Sequence, residues 1–442
     1  MNDFFPILLV TAAGAVLVAA FSAGLSRRER KWVTVSFFIH VGFACAQVPL
    51  TLSFYGGGDM FLYFSYGEIL ARMMERDPLH VIPEVTALLL HNRPHLPLGI
   101  IGAGSGTGTM SALAAWTFYL LGPSKYAASI AFAMLSLCGK IAIYRVFRAN
   151  VDPAFRWPVA IAAFFVPSFV FWSSGLIKEA VVVAGLGWSL FGLHLWIREA
   201  RPVPGWALMV GGTIPMLLIK PYILFPLVLA GGSWYYWARS LKRGRVRVRP
   251  TYFAVAAVLG VGGVVLLGHY FPEYALDNFT ARTSGLQQLG RGYRGLRGGS
   301  HFTLSGEIPT TFVGQLAYAP AALLTSLFRP VLFEVHNLLM LANAVETTVL
   351  TLLFARILFT RNLRNVRRQI ADDPFLVFCL VFVVAFGIAV GLASSNLGTL
   401  SRYRCLLLPF FVVLLLVLGK PLPARSPAST LRRASETVLG AA

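Results

Sequence analysis

The stretch Phe375-Leu-Val-Phe-Cys-Leu-Val-Phe-Val-Val-Ala-Phe-Gly-Ile-Ala-Val-Gly-Leu-Ala393 contains no charged residue. In hydrocarbon every backbone N–H and C=O must be paired within its own segment, so such a run is a helix. Its nineteen residues, at about 1.5 Å each, span about 28 Å, close to the ~30 Å core of a bilayer. Arg361, Arg364, Arg367 and Arg368 precede it and Ser394-Ser-Asn396 follows, so both of its ends are marked.

Outward from this helix, apolar runs recur along most of the 442 residues. They cover about 4–24, 33–54, 109–121, 126–144, 157–172, 177–196, 206–219, 222–237, 252–270, 338–358 and 400–418. The run 312–333 is interrupted by Pro320 and by Arg329-Pro330, which predicts a re-entrant or broken helix. Hydrophobic residues make up 57% and charged ones 13%, with mean hydropathy +0.69. A soluble domain carries about 25% charged residues and could not bury this much apolar surface. The alternation expected of barrel strands is absent. The sequence predicts an all-α, polytopic transmembrane helical bundle of about ten crossings over residues 1–418. Residues 55–106 are too polar to cross and predict juxtamembrane helices outside the membrane, amphipathic over Met60–Glu75. A Gly- and Arg-rich loop is expected over 271–308, and a disordered cytoplasmic tail over 419–442.

The net charge is +20, but the basic residues gather between apolar runs, as positive-inside orientation and anionic headgroups require. That reading displaces nucleic-acid binding. Arg27, Arg28, Arg30 and Lys31 place the first connection in the cytoplasm and Asp59 outside. Residues 239–249 are the strongest cytoplasmic marker. One conflict arises: two crossings between Asp59 and Arg145 would leave Arg145, Arg148 and Arg156 outside. Either a short segment within 82–144 does not cross, or the charge rule fails there. Cys45, Cys138, Cys379 and Cys405 all lie in apolar runs without a CxxC pair, which argues against disulfides and zinc. The first run has no basic residue ahead of it and no small-residue cleavage signal behind it, and reads as a retained helix.

Charges near membrane depth are costly, so each is a candidate for function. Asp59 follows Gly56-Gly-Gly58, which permit a sharp turn and close ligand approach. Its carboxylate suits a general base, or else the N-cap of a helix starting at Met60. Lys178 opens an apolar run after Phe171-Trp-Ser-Ser-Gly175 and suits a phosphate, while Glu179 suits the helix N-terminus. Lys220 precedes Pro221 at a helix break. Arg402 and Arg404 begin the last run and suit capture of phosphate or pyrophosphate. For Lys178, Lys220, Arg402 and Arg404 the plainer alternative is snorkelling to the interface. Arg282, Arg291, Arg294 and Arg297, among glycines, suit a mobile basic lid or a plain connector. Arg329 and Glu334 read as a structural ion pair at the break; Lys140 and Glu346 receive no role. No P-loop, HExxH or GxSxG motif occurs.

Taken together, Asp59 in the first outer loop, Pro167-Ser-x-x-x-Trp172-Ser-Ser-Gly-x-x-Lys178-Glu, Leu327-Phe-Arg-Pro-x-x-x-Glu334 and Ser401-Arg-Tyr-Arg404 form a pattern. It resembles the bacterial polytopic glycosyltransferases of the GT-C superfamily and the related polysaccharide polymerases, over about 54–418. The resemblance implies a GT-C-like bundle in the bacterial inner membrane with its site on the extracytoplasmic side. It implies a polyprenyl phosphate- or pyrophosphate-linked sugar donor and a glycan or lipid acceptor hydroxyl. Asp59 would deprotonate the acceptor, and Arg402 and Arg404 would hold the leaving phosphate, helped by Lys178 or Lys220. Many such enzymes carry paired acids where this chain has Asp59-Met60, so a divalent metal is not favoured and no cofactor is expected. The competing readings are a transporter or flippase of a lipid-linked saccharide, an O-antigen-ligase-like enzyme, and a non-catalytic scaffold. A transporter predicts charges near mid-membrane and internal symmetry.

Overall fold

The computed structural model describes residues 3–55, 57–242 and 311–420, with scattered positions between 262 and 309. Among these residues the chain is helical throughout, apart from turns and one isolated antiparallel pairing of His301 with Asn396. α1 (Phe4–Phe21) turns at Gly24 into α2 (Arg27–Pro49). Ser26 caps α2 by accepting from Glu29 N, and Glu29 accepts from Ser26 N in return. α2 runs on into a π-helical turn, Leu50–Tyr55, beside Pro49.

Then follow α3 (Asp59–Arg76), α4 (Pro78–Leu89) and α5 (Gly106–Leu121), which share a small core of Leu70, Met74, Val85, Leu88, Ala112 and Ala115. Next, α6 (Lys125–Asn150) lies antiparallel to α2: Lys140 meets His40 midway, and Arg148 Nη1 donates to Glu29 Oε2 at 3.0 Å. Lys125 Nζ is 3.6 Å from Glu68 of α3, so α6 starts on the Asp59 side. Both ends of the sixteen-residue α5 therefore stay on that side. Arg145, donating to Phe21 O and Ala23 O, stands with Arg148 at the end that carries Arg27 to Lys31. If α5 is not counted as a crossing, the conflict in the charge rule disappears.

The chain returns to the Asp59 end in two pieces, α7 (Arg156–Phe164) and α8 (Pro167–Phe171), broken before Pro167. α9 (Lys178–Ile197) leads away, α10 (Pro202–Ile219) leads back, and α11 (Leu224–Lys242) leads away again. Beyond residue 311 come α12 (Phe312–Leu316), α13 (Ala319–Phe328), α14 (Leu338–Thr360), the short α15 (Leu363–Ala371), α16 (Pro374–Leu392), α17 (Leu397–Arg404) and α18 (Leu408–Leu418). Trp237 Nε1 donates to Ala371 O at 2.9 Å, and Lys420 Nζ sits 4.9 Å over the Phe155 ring. These contacts bring Arg239 and the arginines of α15 to the Arg27 end. The distribution is the one positive-inside orientation demands.

Among the described residues seven helices are long and apolar enough to cross a membrane, or eight if α17 and α18, bent by 71°, form one span. The protein is a multi-pass membrane bundle by this measure. Of the runs expected to cross, α5 is too short by this measure, α7–α8 is broken, and 252–270 lies mostly outside the described residues.

Between helices in lipid the apolar surroundings give little drive, so contact comes from close approach of small residues and ring packing. α6 and α9 meet where Gly139 faces Gly187; a Cβ on Gly187 would stand 2.1 Å from Gly139 O. On α16 the opening stretch supplies a ladder of Phe375, Phe378, Phe382 and Phe386 at i, i+3 and i+4 steps, with centroids 6.0, 6.1 and 5.6 Å apart. Phe410 of α18 sets its edge against Phe382 at 4.8 Å. The ladder packs α16 against α18.

Candidate functional site at the Asp59 end

Asp59 is the first residue of α3, and the residue before it, Gly58, has φ +93°, a left-handed conformation that favours glycine. Gly58, not Asp59, therefore occupies the N-cap position. The Asp59 carboxylate instead accepts from Arg402 Nη1 at 2.8 Å, across 343 residues of sequence, with its side chain 46% exposed. The N-cap alternative is thereby set aside.

Arg402 is held from behind by Glu179, whose Oε1 lies 2.8 Å from Arg402 Nε. That contact is ionic: the N–H does not aim at the oxygen, and Nε makes no hydrogen bond. The same Oε1 accepts from Lys220 Nζ at 2.5 Å, and Lys220 also lies 4.3 Å over the Tyr403 ring. Glu179 and Lys220 are buried. A buried carboxylate that serves two cations is costly to leave alone, so removal of either partner strains the other. Lys178 Nζ donates to Thr107 Oγ1 at 2.8 Å, from the start of α5. Tyr63 of α3 is buried beside the cluster; burial, with the Asp59 charge near it, pushes its phenol well up, so it stays protonated.

The N-termini of α3, α5 and α9, the end of α10 and the body of α17 thus converge. They bring two carboxylates, Asp59 and Glu179, together with three cations, Lys178, Lys220 and Arg402. Chemically the group offers an exposed proton acceptor beside an excess of positive charge. Among the described residues no group of three His, Cys, Asp or Glu side chains is placed to hold a metal ion.

Arg404 corrects the expectation that it joins Arg402. It is fully buried and points the other way, with Nη1 donating to Arg329 O at 2.5 Å and Nη2 to Thr347 Oγ1 at 2.8 Å. Glu346 Oε1 is 3.7 Å from its guanidinium and accepts from Ser168 Oγ at 2.6 Å. Two residues apart on a helix are about 200° apart around it, so the two arginines cannot share a ligand. Arg329 pairs with Glu334 and its guanidinium stacks 4.6 Å over Phe302. Arg282, Arg291, Arg294 and Arg297 lie outside the described residues. Just after them, Phe302 N donates to Ser395 O and Leu397 N to Ser300 O, next to the start of α17.

Sequence reasoning found Asp59, Lys178, Lys220 and Arg402, and missed the parts that join them. Glu179 looked like a helix-end charge, although a Glu beside a Lys in an apolar helix was the available signal. Thr107 and Tyr63 carried none. Lys140, left without a role, is fully buried, with Nζ 2.9 Å from His40 Nε2 and 3.2 Å from Phe169 O, a carbonyl near the α8 break. Comparison with protein-family models, curated proteins and solved structures finds nothing that matches this chain.

Proposed function

We propose that the protein is a membrane transferase of the GT-C kind. It would move a sugar from a polyprenyl phosphate- or pyrophosphate-linked donor to an acceptor hydroxyl of a glycan or lipid at the extracytoplasmic face. The observation that carries this reading is the convergence of exposed Asp59 with Arg402, Lys178 and Lys220 at one end of the bundle. The arginine-rich end lies opposite, which under the positive-inside bias turns the Asp59 end outward, in a bacterial plasma membrane.

In this reading the acceptor oxygen attacks the donor's anomeric carbon. The bond from that carbon to the phosphate oxygen breaks, and its electron pair leaves with the phosphate. The acceptor proton passes to Asp59. Arg402, with Lys178 beside it, meets the anion as it forms, which lowers the barrier because the charges are already in place. Lys220 acts at one remove, by sharing Glu179 with Arg402. No step needs a cofactor.

The test is turnover of lipid-linked donors by the purified chain with Asp59→Asn. Loss of a general base lowers the rate about 10²- to 10⁴-fold. Full activity in a well-folded Asp59→Asn protein would remove Asp59 from the chemistry. A transporter of the same lipid-linked anion is the second reading, favoured by the buried Lys140–His40 pair midway along α6 and α2. It predicts that Lys140→Met stops movement of the lipid across vesicles while Asp59→Asn leaves it intact.

A further inference from the structure

We propose that in the empty site Asp59 occupies the anion seat of Arg402, and that a substrate phosphate takes the seat only by displacing it. The inference rests on the anion-binding reading above and concerns how that site is controlled. Three observations carry it. Arg402 is fixed from behind: its side chain is 16% exposed and Nε faces the buried Glu179 at 2.8 Å. Asp59 holds the front of the same guanidinium through Nη1 at 2.8 Å, and is the more exposed partner. Finally, Asp59 hangs on a yielding support. Gly57 and Gly58 precede it, and no atom stands within 4 Å of where a Cβ would sit on either.

Of the two members of the pair, then, Asp59 is the one free to move. A phosphate bearing two or more negative oxygens competes with a single carboxylate for the guanidinium, and a bidentate fork favours it. Lys178 lies within electrostatic reach of Asp59 and makes its bond to a neutral hydroxyl, so it adds attraction for the incoming anion. Displacement has a chemical consequence. While Asp59 is paired with Arg402, its Oδ2 is spent on the guanidinium. Once the anion is seated, that oxygen is released and can accept from the acceptor hydroxyl. Binding order follows: the phosphorylated donor first, the hydroxyl acceptor second.

The experiment is calorimetric titration of the full chain in lipid nanodiscs with inorganic pyrophosphate. The wild type is compared with Asp59→Asn, Asp59→Ala and Arg402→Gln, and thermal unfolding confirms that each variant is folded. Removing an exposed competing carboxylate tightens pyrophosphate binding by about five-fold, more for Ala than for Asn, since Asn still accepts a bond from Arg402. Arg402→Gln weakens binding at least about ten-fold. If Arg402→Gln weakens binding but both Asp59 variants bind no tighter than wild type, Asp59 is not the competitor and the anion seat alone survives. If Arg402→Gln binds as wild type does, or no variant binds, the anion reading falls and this inference falls with it.

Discussion

Arg402 and Arg404 sit two residues apart on one short helix and lead opposite lives. The Arg402 side is open to solvent in part, its partners are charged, and one of its two carboxylates, Asp59, is 46% exposed. The Arg404 side is closed, its guanidinium is spent on a backbone carbonyl and a threonine hydroxyl, and Glu346 balances its charge. The same residue type is a partly exposed cation in one place and a peg in the other. Burial and the identity of the partners decide which, and residue type alone does not.

The comparison breaks first at Arg404. Arg404→Gln strips a buried cation from Glu346 and orphans the Arg329 carbonyl, and should cost about 3–5 kcal/mol of stability. Denaturant unfolding in mild detergent measures it; a loss no larger than that of Arg402→Gln would erase the distinction. Arg402→Gln leaves Glu179 still paired with Lys220, so the same unfolding assay should record about 1 kcal/mol. A much larger loss would make Arg402 a second peg. The smallest effect belongs to Tyr63→Phe. The buried phenol makes no well-aligned hydrogen bond, with only Thr107 in reach, so its removal should change stability by less than about 0.5 kcal/mol. A cost well above that would mean that the Tyr63 hydroxyl holds the Arg402 side together.

Much of this was legible in the chain because membrane helices advertise themselves. An apolar run of bilayer length has one structural solution, and a charge at its end stands out from a nearly uncharged background. Asp59, Lys178, Lys220 and Arg402 were readable for that reason. Their assembly was not. Glu179 acts as the hub only because α10 and α17 bring Lys220 and Arg402 to one of its oxygens, and nothing local in the sequence encodes that meeting. Glu346 and Ser168, which share two hydrogen bonds, are 178 residues apart. The place of α5 was half legible: its run is short, but only the contact of Lys125 with Glu68 shows which side it returns to. The opposed arginines could have been separated from spacing alone, since i and i+2 positions on a helix do not face together.

The 71° bend between α17 and α18 has one more consequence. A helix turned that far from its neighbour runs more nearly along the bilayer plane than through it, and its two flanks become an inner wall and an outer shelf. A molecule tethered in the same membrane searches for that shelf in two dimensions, and its local concentration there depends on how much of it shares the sheet, with little regard to the volume outside. For such a ligand a weak seat suffices, and a self-occupied one is tolerable. For a substrate of the lipid-linked kind proposed above, the bend would favour lateral access over high affinity.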